Sequence, residues 1–164
     1  MITKKDINEA LKNNALPILP MLKEAKTIIN GEYLKSIKKS PLSKKNLRWH
    51  TDFIKSALKI NKGLIELKKE HSKSVADSIS YSLILNLRST YIIDCIKKKQ
   101  KWSTAGLLSL IKKISGSLEA YEGYLRVKND ERTKETLSIE EAEKLLDYTS
   151  KKLKEQEKWI KRKG

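Results

Sequence analysis

The segment from Val75 to Ile96 constrains the fold of this chain more than any other part of the sequence. Side chains that recur every three or four residues form one helix face, and here they are Val75, Ile79, Leu83, Leu87, Tyr91 and Cys95. Further apolar residues widen that face: Ile84, Leu85, Ile92, Ile93 and Ile96. A helix that is apolar on most sides is stable only when other helices surround it. We therefore predict that this segment is the core helix of a bundle.

The rest of the chain also has helical spacing and almost no alternating strand pattern. Helices are predicted at 4–13, 20–38, 44–69, 74–99, 103–128 and 138–162. Ser74–Asp77 and Ser138–Glu141 both resemble capping boxes, and Gly116-Ser117 is expected to divide the fifth region. The 164 residues show no repeat and no low-complexity linker. The sequence thus predicts an all-α fold, a single compact bundle of about five to seven helices over 1–164, in which 1–19 can form a peripheral N-terminal helix.

The last predicted helix has the narrowest apolar stripe. Its members step by four and three residues: Ala142, Leu146, Thr149, Leu153, Gln156 and Ile160. Lys and Glu occupy most of the positions between them. Such a stripe is suited to packing against a neighbouring helix.

An excess of positive charge indicates the kind of partner. The chain has 36 Lys and Arg against 20 Asp and Glu, a formal net charge of +16. Self-repulsion of this size opposes compact folding unless solvent or a polyanion screens it. Because 31 of the cations are Lys and 5 are Arg, contact with phosphates is favoured over the bidentate reading of bases that Arg supplies.

The basic residues are concentrated in two runs. The first lies between Glu32 and Asp52 and contains Lys35, Lys38, Lys39, Lys44, Lys45 and Arg48. The second precedes Glu119 and contains Lys97, Lys98, Lys99, Lys101, Lys112 and Lys113. Trp49 and Trp102 stand beside the runs, and we expect Trp102 to stack on an unpaired base while the lysines contact phosphates. The alternative interpretation is that both indoles anchor helix ends and that the lysines form a solvated face.

Sites for other chemistry are largely missing from the sequence. The single Cys95 excludes an internal disulfide, and His50 and His71 have no ligand-spaced partner. We therefore expect no metal, no cofactor and no catalytic residue. No segment approaches the roughly 20 apolar residues of a membrane span, and the first residues lack the apolar core of a secretory signal. A cytoplasmic protein without a membrane partner is expected.

Asp94 is unusual because it is an acid within the most apolar segment. Arg88, Tyr91 and Asp94 follow one another at intervals of three, so they can approach one helix face. A charge in a core helix needs a partner or a polar cavity. Two interpretations remain open, a structural network with another helix and a polar notch that contacts phosphate or a base.

A family resemblance covers about the C-terminal half. Its residues are Leu87–Ile96, Trp102-Ser103, Ala120–Lys128 and Ser138–Leu146. This part resembles the helical domain that follows predicted nucleotidyltransferases in archaea, which is similar to the HEPN bundles. The resemblance implies a helical module with an enzyme as its partner. The chain lacks the Asp-x-Asp pair of a nucleotidyltransferase catalytic domain. It also lacks an Arg followed by His at the spacing of HEPN ribonucleases.

Three functions are compatible with the sequence. The leading hypothesis is a non-catalytic protein that binds DNA or RNA, as an accessory subunit in replication or RNA processing. The alternative is a helical partner or substrate-binding subunit of a separate nucleotidyltransferase or other enzyme. The third is an enzyme whose site combines Arg88, Tyr91 and Asp94 with residues of another helix. Salt-dependent binding of nucleic acid distinguishes the first hypothesis from the second.

Overall fold

The fold is all-α, as the sequence predicts. The computed structural model describes residues 3–13, 18, 26, 31–38 and 44–161, with the side chains of all except 38, 44–46, 48 and 49. Within these residues the elements are α1 (Lys4–Asn13), α2 (Gly31–Lys38), α3 (Lys44–Lys69), β1 (Ser74–Val75), α4 (Asp77–Lys97), α5 (Thr104–Ser115), α6 (Glu119–Lys128), β2 (Leu137–Ser138) and α7 (Ile139–Lys161). The predicted helix at 20–38 is seen from Gly31 onward, and almost all of 20–30 lies outside the described residues.

The chain divides into two compact units, Met1–Phe53 with Trp159–Gly164, and Ile54–Lys158. In the first unit, Leu11 of α1 and Ile37 of α2 are buried together. Tyr33 packs against this pair, and its hydroxyl donates to the carbonyl of Lys4 at 3.3 Å. The second unit has its own and larger apolar cluster, to which helices α4 to α7 all contribute.

The prediction of a core helix in the segment Val75–Ile96 is confirmed from Asp77 onward within the second unit, whereas Val75 lies in β1. The buried residues of this segment include Val75, Ile79, Leu83, Ile84, Leu87, Ile92, Ile93 and Cys95. Tyr91 and Ile96 are half-buried, and Leu85 is 37% exposed. Removing one such apolar side chain from water contributes about 1.5–3 kcal/mol, so this one helix supplies a large part of the hydrophobic stabilisation.

The apolar stripe of the last helix is also confirmed. Ala142, Leu146, Thr149, Leu153 and Gln156 are buried in α7. The capping box at its start forms as predicted, because Ser138 Oγ accepts from the Glu141 amide at 3.3 Å and the Ser138 amide donates to Glu141 Oε2 at 3.4 Å. Ser117 Oγ donates to the same carboxylate. Burial opposes ionisation of Glu141, but the hydrogen bonds from Ser117 and Ser138 outweigh it and lower the pKa.

The predicted capping box at Ser74–Asp77 is wrong. Helix α4 begins at Asp77, and Ala76 precedes it without a side-chain cap. Ser74 and Val75 instead form β1, which pairs antiparallel with β2 in the register Ser74↔Ser138 and Val75↔Leu137. Two residues are too few to show an alternating pattern, which is why no strand is predicted there from the sequence.

Asp77 is instead held by a buried ion pair that joins three parts of the second unit. Its side chain is 0% exposed, and Arg126 of α6 donates to it from Nε at 2.8 Å and from Nη2 at 2.9 Å. The Lys134 amide donates to the same carboxylate at 2.7 Å, while the Asp77 amide donates to the Lys134 carbonyl at 2.9 Å. The segment between α6 and β2 is thereby tied to the start of α4.

Glycine is required where α6 passes over this ion pair. A Cβ at Gly123 would lie 2.6 Å from Asp77 Oδ1 and 2.9 Å from the Ser80 Cβ. Any larger residue would therefore push α6 away from the carboxylate. The predicted break at Gly116-Ser117 is confirmed as well, because Gly116 has φ +93 and ends α5 in the left-handed conformation that favours glycine.

We expect Asp77→Ala to lower the free energy of unfolding by about 3 kcal/mol, because Arg126 loses two hydrogen bonds to a charged group and keeps only Glu119, at 3.1 Å, as an ionic partner. Arg126→Lys should cost less than this but remain destabilising, since a lysine cannot make the two parallel hydrogen bonds. Urea unfolding followed by circular dichroism measures both. Lys151→Ala, at an exposed position of α7, is the control. A decrease of less than about 1 kcal/mol for Asp77→Ala would contradict a stabilising role for the pair.

His50 of α3 makes the folding stability depend on pH. Its side chain is buried, and neither ring nitrogen has a hydrogen-bond partner among the described residues. Burial lowers the pKa of His50 from 6.5 to about 4. As the pH falls, His50 is therefore protonated near pH 6.5 in the unfolded chain but only near pH 4 in the folded chain. Folding stability declines as the pH falls between these two values.

Replacing His50 with Leu should remove up to about 3 kcal/mol of this pH-dependent decrease in stability, at 1.36 kcal/mol per pKa unit. Urea unfolding of both proteins at pH 7 and pH 4.5 checks it, because carboxylates titrate alike in the two. His71→Gln serves as the control, since the His71 side chain is 82% exposed. If His50→Leu follows the parent's pH dependence, His50 is not held neutral in the folded state.

Candidate nucleic-acid interface

The second basic run lies at the end of α4 and in the turn that follows. Lys97, Lys98, Lys99 and Lys101 are all exposed. The turn is closed by backbone hydrogen bonds from Gln100 to the Cys95 carbonyl at 2.8 Å and from Lys99 to the Ile96 carbonyl at 3.0 Å. Lys99 has φ +55, a left-handed conformation that glycine usually adopts at this position. The turn thus exposes lysines in consecutive positions at a helix C-terminus.

These lysines form no close ion pairs with neighbouring acids. Across 44–161, none of Lys97, Lys98, Lys99 and Lys101 has a carboxylate within 4.0 Å, and the same holds for Lys112 and Lys113. Lys112 and Lys113 are exposed in the last turn of α5. Cations at helix C-termini interact favourably with the helix dipole, which gives the lysines a local structural role but leaves their charge open to solvent.

Trp102 follows the run directly and is half-buried. It already makes an interaction within the protein. Its neighbour Ser103 caps α5, since Ser103 Oγ accepts from the Gly106 amide at 3.0 Å. Trp102 therefore serves partly as an anchor, and only the exposed part of its ring is accessible to a base.

The first basic run is described only in part. Lys35 of α2 is exposed and pairs with Glu32 at 3.1 Å. Lys39 lies outside the described residues, as do the side chains of Lys38, Lys44, Lys45, Arg48 and Trp49. The contribution of this run to binding stays a prediction.

A cavity of about 270 Å³ opens between the end of α4, α5 and α7. The residues with polar or charged side chains that line it are Thr90, Tyr91, Asp94, Lys98, Gln100, Ser109, Lys113, Tyr148 and Lys152. Two of them, Lys98 and Lys113, belong to the second basic run. All the lining residues lie within the second unit.

Asp94 in this cavity is held by α7. Its Oδ1 accepts from Gln156 Nε2 at 2.8 Å, and its Oδ2 lies 3.6 Å from Lys152 Nζ. Gln156 is fully buried and also donates to the carbonyl of Thr90 at 2.8 Å. The Gln156 amide of α7 therefore binds both the backbone of α4 and the Asp94 carboxylate, and it fixes the position of that carboxylate.

The predicted notch of Arg88, Tyr91 and Asp94 is assembled only in part. Tyr91 and Asp94 line the cavity, whereas Arg88 is half-buried, does not line it and makes no ion pair with Asp94. The Tyr91 hydroxyl accepts from the Ser103 amide at 3.4 Å and leaves no room for a Cβ at Gly106. Tyr91 thus sets the distance between α4 and the start of α5.

The cavity also contains two residues that the sequence patterns did not single out, Tyr148 and Lys152 of α7. Lys152 Nζ lies 2.9 Å from Glu155 and 5.9 Å from the ring centre of Tyr148. The hydrogen bond to Glu155 raises the pKa of Lys152, and burial raises the pKa of Tyr148. The sequence does contain one indication that this part of α7 faces a polar site. Gln156 is a polar residue within the apolar stripe of α7, and when buried it requires a polar partner on the facing helix.

Groups for metal chemistry do not come together in the described ranges. No three His, Cys, Asp or Glu side chains there are placed to hold a metal ion. His71 is exposed, and Cys95 is a buried free thiol. Among the described helices, none combines the length and the apolar character needed to cross a membrane.

Comparison with known proteins gives no relative: no family model, no curated protein and no solved structure matches the chain. The resemblance of residues 87–146 to the HEPN-like bundles therefore stays a sequence-based prediction.

Asp94→Ala should lower the free energy of unfolding by about 1–3 kcal/mol, because the buried Gln156 amide loses one of its two acceptors and keeps only the Thr90 carbonyl. Asp94→Asn should cost less, since its carbonyl oxygen can still accept from Gln156. Chemical unfolding of the two variants and the parent provides the comparison. Unchanged stability of Asp94→Ala would show that the hydrogen bond to Gln156 does not stabilise the fold.

Proposed function

We propose that the protein binds nucleic acid through the phosphate backbone, as a non-catalytic accessory protein. One observation carries the proposal. Six exposed lysines lie at or just beyond the ends of two consecutive helices, and none has a carboxylate within 4.0 Å among residues 44–161. They are Lys97, Lys98, Lys99, Lys101, Lys112 and Lys113.

The unpaired charge of these lysines favours a polyanionic partner. Like charges that lack partners repel one another and oppose folding, and a polyanion that approaches them relieves this repulsion. Each neutralised phosphate also releases condensed counterions, which favours binding at low salt. Because the cations of the second run are all lysines, binding should depend weakly on sequence and steeply on salt.

A second candidate function is supported by an apolar surface. Ile60, Leu64 and Leu67 are spaced by four and three residues on α3, and they are 63%, 42% and 65% exposed. A stripe of this kind is typical of a helix that packs against another protein. It favours the alternative of a helical partner or substrate-binding subunit of a separate enzyme, such as the nucleotidyltransferase that the sequence resemblance implies.

Replacing Lys97, Lys98, Lys99 and Lys101 together with Gln should flatten the slope of log affinity against log salt by roughly 2–4, at about 0.7–0.9 for each phosphate that is no longer neutralised. Fluorescence-anisotropy titrations with single-stranded and duplex oligonucleotides at several salt concentrations measure the slope. The affinity should fall by a similar factor for different base sequences.

The matched control is the replacement of Lys59, Lys73, Lys151 and Lys154 with Gln, since these four lysines are also exposed. It removes the same number of charges from the same unit. Its slope should change by less than about 1. If the salt slope flattens equally in both variants, binding depends on the overall charge of the protein and not on the second run. Absence of binding at low salt would favour the protein-partner function.

A further inference from the structure

The cavity between α4, α5 and α7 is not needed for contact with a phosphate backbone, which exposed lysines make without a pocket. It lies directly beside the second basic run, because Lys98 and Lys113 belong to both. A strand held on the lysines would therefore pass close to the mouth of this cavity. The charge, rigidity and size of the cavity limit which part of a strand can enter it.

The charge of the cavity is that of a receptor for a dianion. Three lysines line it, Lys98, Lys113 and Lys152, against the single carboxylate of Asp94. The lining side chains thus carry a formal charge of +2, and Glu155, which pairs with Lys152 at 2.9 Å without lining the cavity, lowers the local charge to +1. Asp94 is already engaged by Gln156 at 2.8 Å and by Lys152 at 3.6 Å. Lys98 and Lys113 have no carboxylate within 4.0 Å in the region 44–161, so their ammonium groups remain available to a ligand.

Part of the cavity wall is fixed before any ligand enters. The carboxylate of Asp94 is held through fully buried Gln156, and Lys152 is held by Asp94 and by Glu155 at 2.9 Å. The Tyr91 hydroxyl is packed against Gly106 at the start of α5. These side chains give up little entropy when a ligand binds, whereas the exposed Lys98 and Lys113 become ordered only by the ligand.

The size of the cavity limits the ligand. At about 270 Å³, it lies just below the roughly 300–1,000 Å³ of pockets that enclose drug-sized ligands. One phosphate with part of its nucleoside can enter, and a continuous duplex cannot. A phosphate monoester carries about −1.5 to −2 charges near pH 7, whereas an internal phosphodiester carries one. Lys98 and Lys113, the two lining lysines without a close acid, therefore match the two charges of a strand end better than the single charge of its interior.

We propose that this cavity binds the phosphate monoester at the end of a nucleic-acid strand, with Lys98, Lys113 and Lys152 as its charged ligands. This rests on the proposed function, since it assumes that the neighbouring lysines hold the strand. The same chemistry is present in a free nucleoside monophosphate, and the experiment separates the two sources.

The experiment uses the full chain and four probes. Two oligothymidines of equal length carry a dye at the 3′ end and differ only in a 5′-phosphate or a 5′-hydroxyl group. A third carries its phosphate at the 3′ end and its dye at the 5′ end. Adenosine monophosphate is the unlabelled competitor. At least one of the two phosphate-ended strands should bind on the order of tenfold more tightly than the hydroxyl-ended strand. One or more hydrogen bonds to a charged group would give a difference of this size.

Matched variants locate the effect. Lys98→Gln with Lys113→Gln removes two lysines of the cavity. Lys97→Gln with Lys112→Gln removes their immediate neighbours along the chain, which do not line the cavity. Both double variants should show a similar decrease in backbone affinity. Only the first should also abolish the preference for phosphate-ended strands. Lys152→Gln should reduce the same preference with little change in the salt slope for the hydroxyl-ended strand.

A pH titration gives an independent readout. The second pKa of a phosphate monoester is about 6, so the preference should shrink as the pH falls from 7.5 to 5.5, while the binding of the hydroxyl-ended strand changes less. A preference that does not vary with pH would contradict recognition of the dianion.

The outcomes separate this proposal from the proposed function. Equal affinity for phosphate-ended and hydroxyl-ended strands overturns the cavity proposal and leaves backbone binding intact. An equal decrease of the preference in the two double variants also overturns it. If adenosine monophosphate binds and no strand does, the proposal of strand-end binding is overturned together with the proposed function. The ligand of the cavity is then a free nucleotide. If no probe binds, both proposals are overturned.

Discussion

The second unit depends on the buried ion pair between Asp77 and Arg126. A carboxylate with no exposed surface is costly unless every partner is in place. Here the partners come from α6 and from the backbone of Lys134, at distances of 2.7–2.9 Å. The start of α4, helix α6 and the segment leading to β2 and α7 must therefore assemble together. Gly123 makes this assembly possible, because no larger residue fits beside the carboxylate.

The core helix carries a second acid at its other end, and the same rule applies there. Asp94 is held by Gln156 and Lys152 of α7. Helix α4 is thus fastened near its start through α6 and near its end through α7, while its apolar middle fills the cluster between them. The two acids differ in exposure. Asp77 is sealed inside the protein, whereas the Asp94 side chain is 18% exposed and lines an open cavity. The first acid is suited to stability and the second to a site.

The distribution of ion pairs explains where unbalanced charge remains. Several acids of the second unit are engaged by lysines away from the second run, as in the pairs Lys68–Glu135, Lys69–Glu143 and Lys144–Glu140. Exposed pairs of this kind contribute little to stability, typically about 0–1 kcal/mol each. Other lysines of this unit, such as Lys59, Lys73 and Lys151, also have no acid within 4.0 Å, so the second run differs by how closely its lysines follow one another along the chain. The proposed interface rests on this clustering.

The helical class, the core helix, the stripe of α7, the capping box at Ser138 and the break at Gly116 could all be predicted from the sequence, because each depends on residues close in the chain. The uses of Asp77, Asp94 and Gln156 could not, because they depend on tertiary contacts. Asp77 had the local pattern of a cap, yet it pairs with Arg126, 49 residues away. Lys152 belongs to the cavity because Gln156 and Asp94, 62 residues apart, meet across two helices. Spacing along the chain reports which residues share a face, but burial decides which charges must be paired, and burial is set by the packing of distant segments.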